Sequence, residues 1–202
     1  GKLSTILSAE RVALNLLQRL SGTATATHSL VSLIEEFPNS VVVDTRKTTP
    51  GLRSLERYAV RCGGGKNHRD NLQDGILIKD NHIKAANMRN LSLSQLIQKI
   101  KKNSHHLLKI EIEADSRELA LEAFAAGADV IMLDNMPPSV MSEIISELRQ
   151  ENVDHKVLFE ASGNINNETI RGAAEAGVDI ISVGAVTHSV KAIDIALDIE
   201  IR

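Results

Sequence analysis

The feature that most restricts what this chain can fold into is a change of period that repeats along it. Beyond about residue 40, short apolar runs alternate with segments whose apolar residues recur every three to four positions. The runs predict strands at 41–44, 75–79, 107–113, 129–133, 156–160 and 179–183, with 195–200 a further candidate. The helical patterns fall near 52–61, 91–102, 116–126, 138–151 and 167–176. Strand, helix, strand at this spacing reads as βα units around a parallel sheet. Gly127 and Gly177 sit just past two of these helices, where a left-handed C-terminal cap is common. Ahead of the units, Val12, Leu16 and Leu20 lie at helical spacing in residues 8–20, with Ser8 as the N-cap. Ser21 and Gly22 predict a break before a second helix at about 23–36, and Pro38 with Asn39 predicts a turn.

Most of the strands end in a polar residue of chemical interest: Asp44, Lys79, Glu113 and Asp134, with Ser162 and Gly184 in the loops just beyond. An open doubly wound sheet concentrates its site near one switch point, whereas a barrel gathers its strand ends into one ring. The expectation is therefore an α/β, TIM-like barrel, incomplete, with six or seven strands, forming one domain over residues 1–202 with its N-terminal helices at about 8–36. With aromatics at 2% and no Trp, the core must be built from Leu, Ile, Val and Ala.

Between Asp44 and Lys84 the chain carries nine Lys and Arg against five acids, a local balance of plus four in a protein of net charge minus three. Solvated surface charge is the plainer reading of any one of these residues. It fits the group poorly, because Arg46 and Lys47 follow the apolar run Val41 to Val43 and Lys79 follows Ile76 to Ile78. Cations placed at strand ends can focus a field on a small, highly charged anion. Gly63, Gly64 and Gly65 read either as a flexible loop or as a close backbone approach.

Other classes are disfavoured. One cysteine, Cys62, excludes an internal disulfide and reads as a buried or idle thiol. No apolar run approaches the roughly 20 residues of a membrane span, and the first residues lack the apolar core of a secretory signal. A soluble, cytoplasmic protein is expected, with no membrane partner. Net negative charge, one Tyr and three Phe argue against nucleic acid. His105 and His106 lack partners at metal-ligand spacing.

The strings DTRKTTPGLR, YAVRCGGGKNHR and LIKDNHI resemble the signature of quinolinate phosphoribosyltransferases. The similarity extends to ERVALNLLQRLSGTATAT before them and to IEIEADS, IMLDNM, FEASGNI and SVGAVTHSV after them, which is essentially the whole chain. The resemblance implies the incomplete α/β barrel of type II phosphoribosyltransferases. It also implies a decarboxylating transferase that joins quinolinate to phosphoribosyl pyrophosphate, giving nicotinate mononucleotide, pyrophosphate and carbon dioxide in NAD biosynthesis. Members carry a preceding α/β domain of about one hundred residues, which is expected to be absent from this chain.

Carried over residue by residue, the resemblance implies that Arg46, His68, Arg69 and Lys79 grip the quinolinate carboxylates while Lys47 reaches the pyrophosphate. Guanidinium groups suit that task because they hold a carboxylate through two parallel hydrogen bonds. Glu113 and Asp134 would lie near the ribose hydroxyls and the Mg2+ that accompanies pyrophosphate, a cation that prefers oxygen ligands; pairing with nearby cations is the other reading. Glu111 projects in the same direction as Glu113 by period two, and only the family alignment prefers Glu113. Ser162, Gly163, Gly184 and His188 would hold the 5-phosphate of the sugar donor, with a following helix N-terminus adding its dipole. Asn164 stands where many relatives have a second glycine. Arg11, on the first helix, would complete the site of a partner in a homodimer, although a helix-surface charge is equally consistent with the sequence. The catalytic set is then Lys47, Lys79, Glu113 and Asp134, with Lys47 and Lys79 both candidates to lie near the carbon that loses carbon dioxide. Three alternatives stand beside this reading: a Schiff-base aldolase using Lys79, a nicotinate-type phosphoribosyltransferase, and a barrel that binds these anions without efficient turnover.

Overall fold

A computed structural model describes residues 2–151 and 157–200. Six strands, β1 (Val41–Val43), β2 (Ile76–Ile78), β3 (Ile110–Ala114), β4 (Val130–Asp134), β5 (Leu158–Ser162) and β6 (Ile180–Ser182), pair in parallel in the order β1-β6-β5-β4-β3-β2. The sheet curls without closing, so the expected incomplete barrel is found with six strands. The helices are α1 (Leu3–Leu33), α2 (Arg53–Cys62), α3 (Asp80–Asn87), α4 (Leu93–Asn103), α5 (Arg117–Ala125), α6 (Pro138–Glu151), α7 (Ile170–Glu175) and the single turn α8 (Ala185–His188).

Period-two alternation divides the sheet into an oily outside and a polar inside. Ile112, Ala114, Ile131, Leu133, Phe159, Ala161 and Ile181 belong to the buried apolar core shared with the helices. Register places their neighbours on the opposite face: Glu113 pairs with Met132, Met132 with Glu160, and Asp134 with Ser162. That face lines the barrel interior, so the charged residues of the strands are enclosed by the sheet rather than presented to solvent.

The gap between the edge strands β1 and β2 is entered by the segment that leaves α2. Lys66 bridges Val43 in parallel, with its N–H donating to the Val42 carbonyl at 2.8 Å and its own carbonyl accepting from Asp44 N–H at 3.2 Å. The glycine run makes this path possible. A Cβ on Gly63 would lie 2.3 Å from the Ala24 carbonyl oxygen, and one on Gly65 would lie 2.8 Å from Thr27 Cγ2. The close approach is to α1, and its effect is to deliver Asn67, His68 and Arg69 to the barrel mouth.

Several sequence expectations are corrected. The predicted break at Ser21 and Gly22 does not occur, and α1 runs unbroken through both. Gly22 instead lets the C-terminal segment cross the helix, since a Cβ there would lie 2.2 Å from the Lys191 carbonyl oxygen. The candidate strand at 195–200 is irregular chain, tied to α1 by Ile193 N–H to Gln18 O at 3.1 Å and Gln18 Nε2 to Ile195 O at 2.8 Å. Helix α3 was not expected; His82 Nδ1 accepts from Lys79 N–H at 2.9 Å and closes its first turn. Strands β3, β4 and β5 run one or two residues past their predicted ends, because the polar residues there read as loop; residue 156 of the predicted fifth strand lies outside the described residues. Cys62 is exposed at the end of α2. Among the described residues no helix is long and apolar enough to cross a membrane.

Candidate active site

The C-terminal ends of the strands surround a cavity of about 530 Å³. Its lining includes Arg46, Lys47, His68, Arg69, Lys79, Glu113, Asp134, Ser162 and Gly163, nine of the predicted site residues, together with Asn164. Arg11, Gly184 and His188 are not part of the lining. Arg11 is exposed on α1. Gly184 stands one layer behind, where a Cβ would lie 3.4 Å from Oγ1 of the cavity residue Thr45 and 2.9 Å from His188 Nε2.

The cations are held by local hydrogen bonds. Asp44, fully buried at the end of β1, accepts from His68 N–H at 2.8 Å, Asn67 Nδ2 at 2.6 Å and Arg57 Nη1 at 3.3 Å, and so fixes the segment that carries His68 and Arg69. Burial raises the Asp44 carboxyl above its usual range, against the lowering effect of these three partners. Arg69 donates to the Gly75 carbonyl at 3.0 Å, which leaves the rest of its guanidinium free to turn to the cavity. Burial and the neighbouring Arg46 charge pull Arg69 below the ordinary arginine value, as expected of two cations held together without an anion between them. Lys79 Nζ is ion-paired with Glu113 Oε2 at 2.5 Å, an arrangement that favours a charged partner over a Schiff-base amine.

On the opposite wall, three residues take the left-handed region. Asn135 (φ 54°), Gly163 (φ 90°) and Asn164 (φ 51°) form a clasp in which Asn164 Nδ2 donates to Asn135 Oδ1 at 2.9 Å. Asn135 Nδ2 also donates to Asp134 Oδ2 at 2.9 Å. Asn164 therefore accepts the conformation a glycine would supply and adds a tie to the neighbouring loop. The expected helix dipole is not at hand, because α7 begins only at Ile170 and α8 is a single turn.

Beneath this ring His68, which sequence reasoning named, meets Glu111, which it set behind Glu113, and Glu160, which it passed over. His68 Nε2 lies 3.4 Å from Glu111 Oε2 and 3.3 Å from Glu160 Oε2. Burial opposes charging of His68, but hydrogen bonds and charge interactions with the two glutamates outweigh it and push its pKa up to about 10. Burial pushes Glu160 up to about 7, the charge of Glu111 adding to it and His68 opposing. The three side chains have the composition of a metal site, with ligand atoms within 4.8 Å of one another. The imidazole argues otherwise: with Nδ1 facing the Arg69 N–H at 2.9 Å, Nε2, the atom that faces the carboxylates, carries a proton whether the ring is neutral or charged. A signal for this group was present in the sequence. Glu111 and Glu160 stand two residues before Glu113 and Ser162, hence on the same interior face of their strands.

An incomplete parallel barrel with a cavity at its strand ends, lined by four Lys and Arg side chains, defines an α/β-barrel protein with its candidate site at that mouth. The family model for the quinolinate phosphoribosyl transferase C-terminal domain matches residues 23–198. The chain is 47% identical over 199 residues to a probable nicotinate-nucleotide pyrophosphorylase (carboxylating) of Bacillus subtilis, covering 98% of this chain and 65% of that protein. The solved structure of NadC from Streptococcus pyogenes superposes with a TM-score of 0.85 at 42% identity, covering 96% of this chain and 65% of that one. For the nicotinate-nucleotide pyrophosphorylase of Francisella tularensis the values are 0.85 and 44%, covering 95% of this chain and 65% of that one. This chain thus belongs to the quinolinate phosphoribosyl transferase family, to its C-terminal domain, and spans slightly less than two thirds of the length of these relatives.

Proposed function

We propose that this barrel carries the active site of a quinolinate phosphoribosyltransferase (decarboxylating), which joins quinolinate to phosphoribosyl pyrophosphate in NAD biosynthesis. The observation that carries the reading is the convergence of Arg46, Lys47, Arg69 and Lys79 with the Ser162–Asn164 loop on one cavity, because both substrates are polyanions. Arg46, His68, Arg69 and Lys79 bind the two ring carboxylates, and Lys47 meets the pyrophosphate. Ser162 and Gly163 offer backbone donors to the sugar phosphate, and Gly184 and His188 close that end from behind Thr45.

Glu113 and Asp134 suit the ribose hydroxyls and a magnesium ion. Each has one carboxylate oxygen engaged, by Lys79 and Asn135 respectively, and both residues line the cavity with hard oxygen donors. Magnesium bound there with pyrophosphate would neutralise charge on the leaving group. The protein's own part is positioning: the pyridine nitrogen is aimed at the anomeric carbon as pyrophosphate departs, and the cationic wall then holds the ring while its neighbouring carboxylate leaves as carbon dioxide. Arg11, exposed and outside the cavity, is assigned to the site of a second copy in a homodimer. A cytoplasmic setting, with neither nucleic acid nor membrane as partner, accompanies this reading.

The test is a coupled assay of the polypeptide with quinolinate, the sugar donor and magnesium, alongside calorimetric binding of each substrate. Nicotinate mononucleotide and carbon dioxide in equal amounts support the proposal. Binding of both substrates without product would assign a binding barrel instead, and product from nicotinate without carbon dioxide a nicotinate-type transferase.

A further inference from the structure

Two buried carboxylates beneath a site for anions are an electrostatic contradiction, and the hydrogen bonding sharpens it. Glu160 is fully buried, yet both of its carboxylate oxygens lack a hydrogen-bond partner in good geometry, as does Glu111 Oε1. His68 Nε2 has a single N–H to divide between two glutamates, at 3.3 and 3.4 Å. Unpaired buried acceptors of this kind are costly and are rarely retained without use. Glu160 also lines the cavity, so a ligand there can supply what the protein does not.

The acceptors cannot be satisfied by an anion's oxygens while Glu160 is ionised. One of them can if Glu160 is an acid, because a neutral carboxyl turns that oxygen into an O–H donor and removes one of two like charges from the pocket. We propose that Glu160 binds the aromatic dicarboxylate in its protonated form, taking up a proton as the ligand enters and donating a hydrogen bond to one of its carboxylates. The charged groups facing Glu160 are consistent with this. Glu111 and His68 adjoin it from β3 and the segment after α2; Arg46, Lys47, Arg69 and Lys79 face the cavity, where an arriving dianion would engage their charge, and Glu113 and Asp134 line the same cavity with the opposite sign. Burial already places Glu160 near half protonation at neutral pH, so the switch lies within easy reach.

This inference rests on the quinolinate reading, and the experiment separates the two. Quinolinate binding to the polypeptide is measured by calorimetry from pH 6 to pH 8.5. With a free-protein pKa of about 7, affinity should fall roughly tenfold from pH 6 to pH 8, and binding should take up about half a proton at pH 7, read from buffers of different ionisation enthalpy. Glu160→Gln keeps a neutral donor and should bind with a flat pH profile and no such uptake, while Glu160→Ala should bind weakly throughout. Should the variants not fold, infrared difference spectra of the wild type decide, through a protonated-carboxyl band that grows on ligand binding. A flat profile in the wild type, or the same slope in Glu160→Gln, would overturn the proposal while leaving the substrate in place. Failure of quinolinate to bind at pH 6 would remove the substrate reading itself.

Discussion

Replacing Gly22 with Ala sets two effects of opposite sign against each other. Gly22 lies in the interior of α1, where Ala is favoured over Gly by about 1 kcal/mol. The added Cβ, however, would sit 2.2 Å from the Lys191 carbonyl oxygen and 3.1 Å from its carbon, which are backbone atoms that cannot rotate away. Overpacking of this kind costs about 1–3 kcal/mol. If the C-terminal segment lifts instead, it loses Ile193 N–H to Gln18 O and Gln18 Nε2 to Ile195 O, each worth about 1 kcal/mol. The cheaper route sets the cost, so the net expectation is a destabilisation of about 1 kcal/mol, and a Tm lowered by roughly 2–4 °C for a domain of this size. Urea and thermal unfolding measure it, with Ser21→Ala as the control that gains helix propensity at a neighbouring position. A Gly22→Ala protein at least as stable as the wild type would refute the crossing of α1 by the chain near Lys191.

Asp44→Ala should destabilise the protein by about 1–3 kcal/mol in urea unfolding, because it leaves the His68 amide and Asn67 Nδ2 without their acceptor while Arg57 keeps Asp70; a loss under 1 kcal/mol would mean the segment is held by other contacts. Arg69→Ala should weaken quinolinate binding at least tenfold more than binding of the sugar donor, and calorimetry showing equal losses would remove its assignment. Stability should fall as pH rises. The raised pKa of Glu160 contributes stability that is complete below pH 4.5 and lost through about 7, and that of His68 stability that is complete below pH 6.5 and lost through about 10. Urea midpoints between pH 5 and pH 9 test this, and Glu160→Gln should flatten the lower half of the slope.

The order of strands and helices was readable because each strand's outward face is an unbroken set of aliphatic residues, such as Ile110, Ile112 and Ala114 on β3. The errors share a cause, which is that long-range packing overrode a local signal. Gly22 has the composition of a helix break, but its missing Cβ serves a segment about 170 residues away. The three glycines before Lys66 left a flexible loop and a close approach both open; the fold decides for a close approach at Gly63 and Gly65 and identifies α1 as the surface approached. For the site, strand-end positions located Lys79, Glu113 and Asp134, since period and register fix where a strand's last side chains point. Glu160 was overlooked because the predicted strand stopped at it and Ser162 and Gly163 just beyond drew the phosphate reading; β5 runs on to Ser162, and the interior position of Glu160 depends on the sheet curling.

The acids of the cavity fall into two kinds, and their burial decides how each can respond to an anion. Lys79 and Glu113 are 48% and 19% exposed at their side chains, so their pair is partly solvated and is worth no more than about 1 kcal/mol. Such a pair can be opened cheaply, the lysine turning to a phosphate or carboxylate while the glutamate meets a hydroxyl or a cation. Glu160 has no such freedom. Its side chain is buried, His68 is shared with Glu111, and separating the pair would leave a bare charge in a medium that solvates it poorly. The inexpensive change available to that carboxylate is to gain a proton, so an anion that exchanges partners at the rim should exchange protons at the floor.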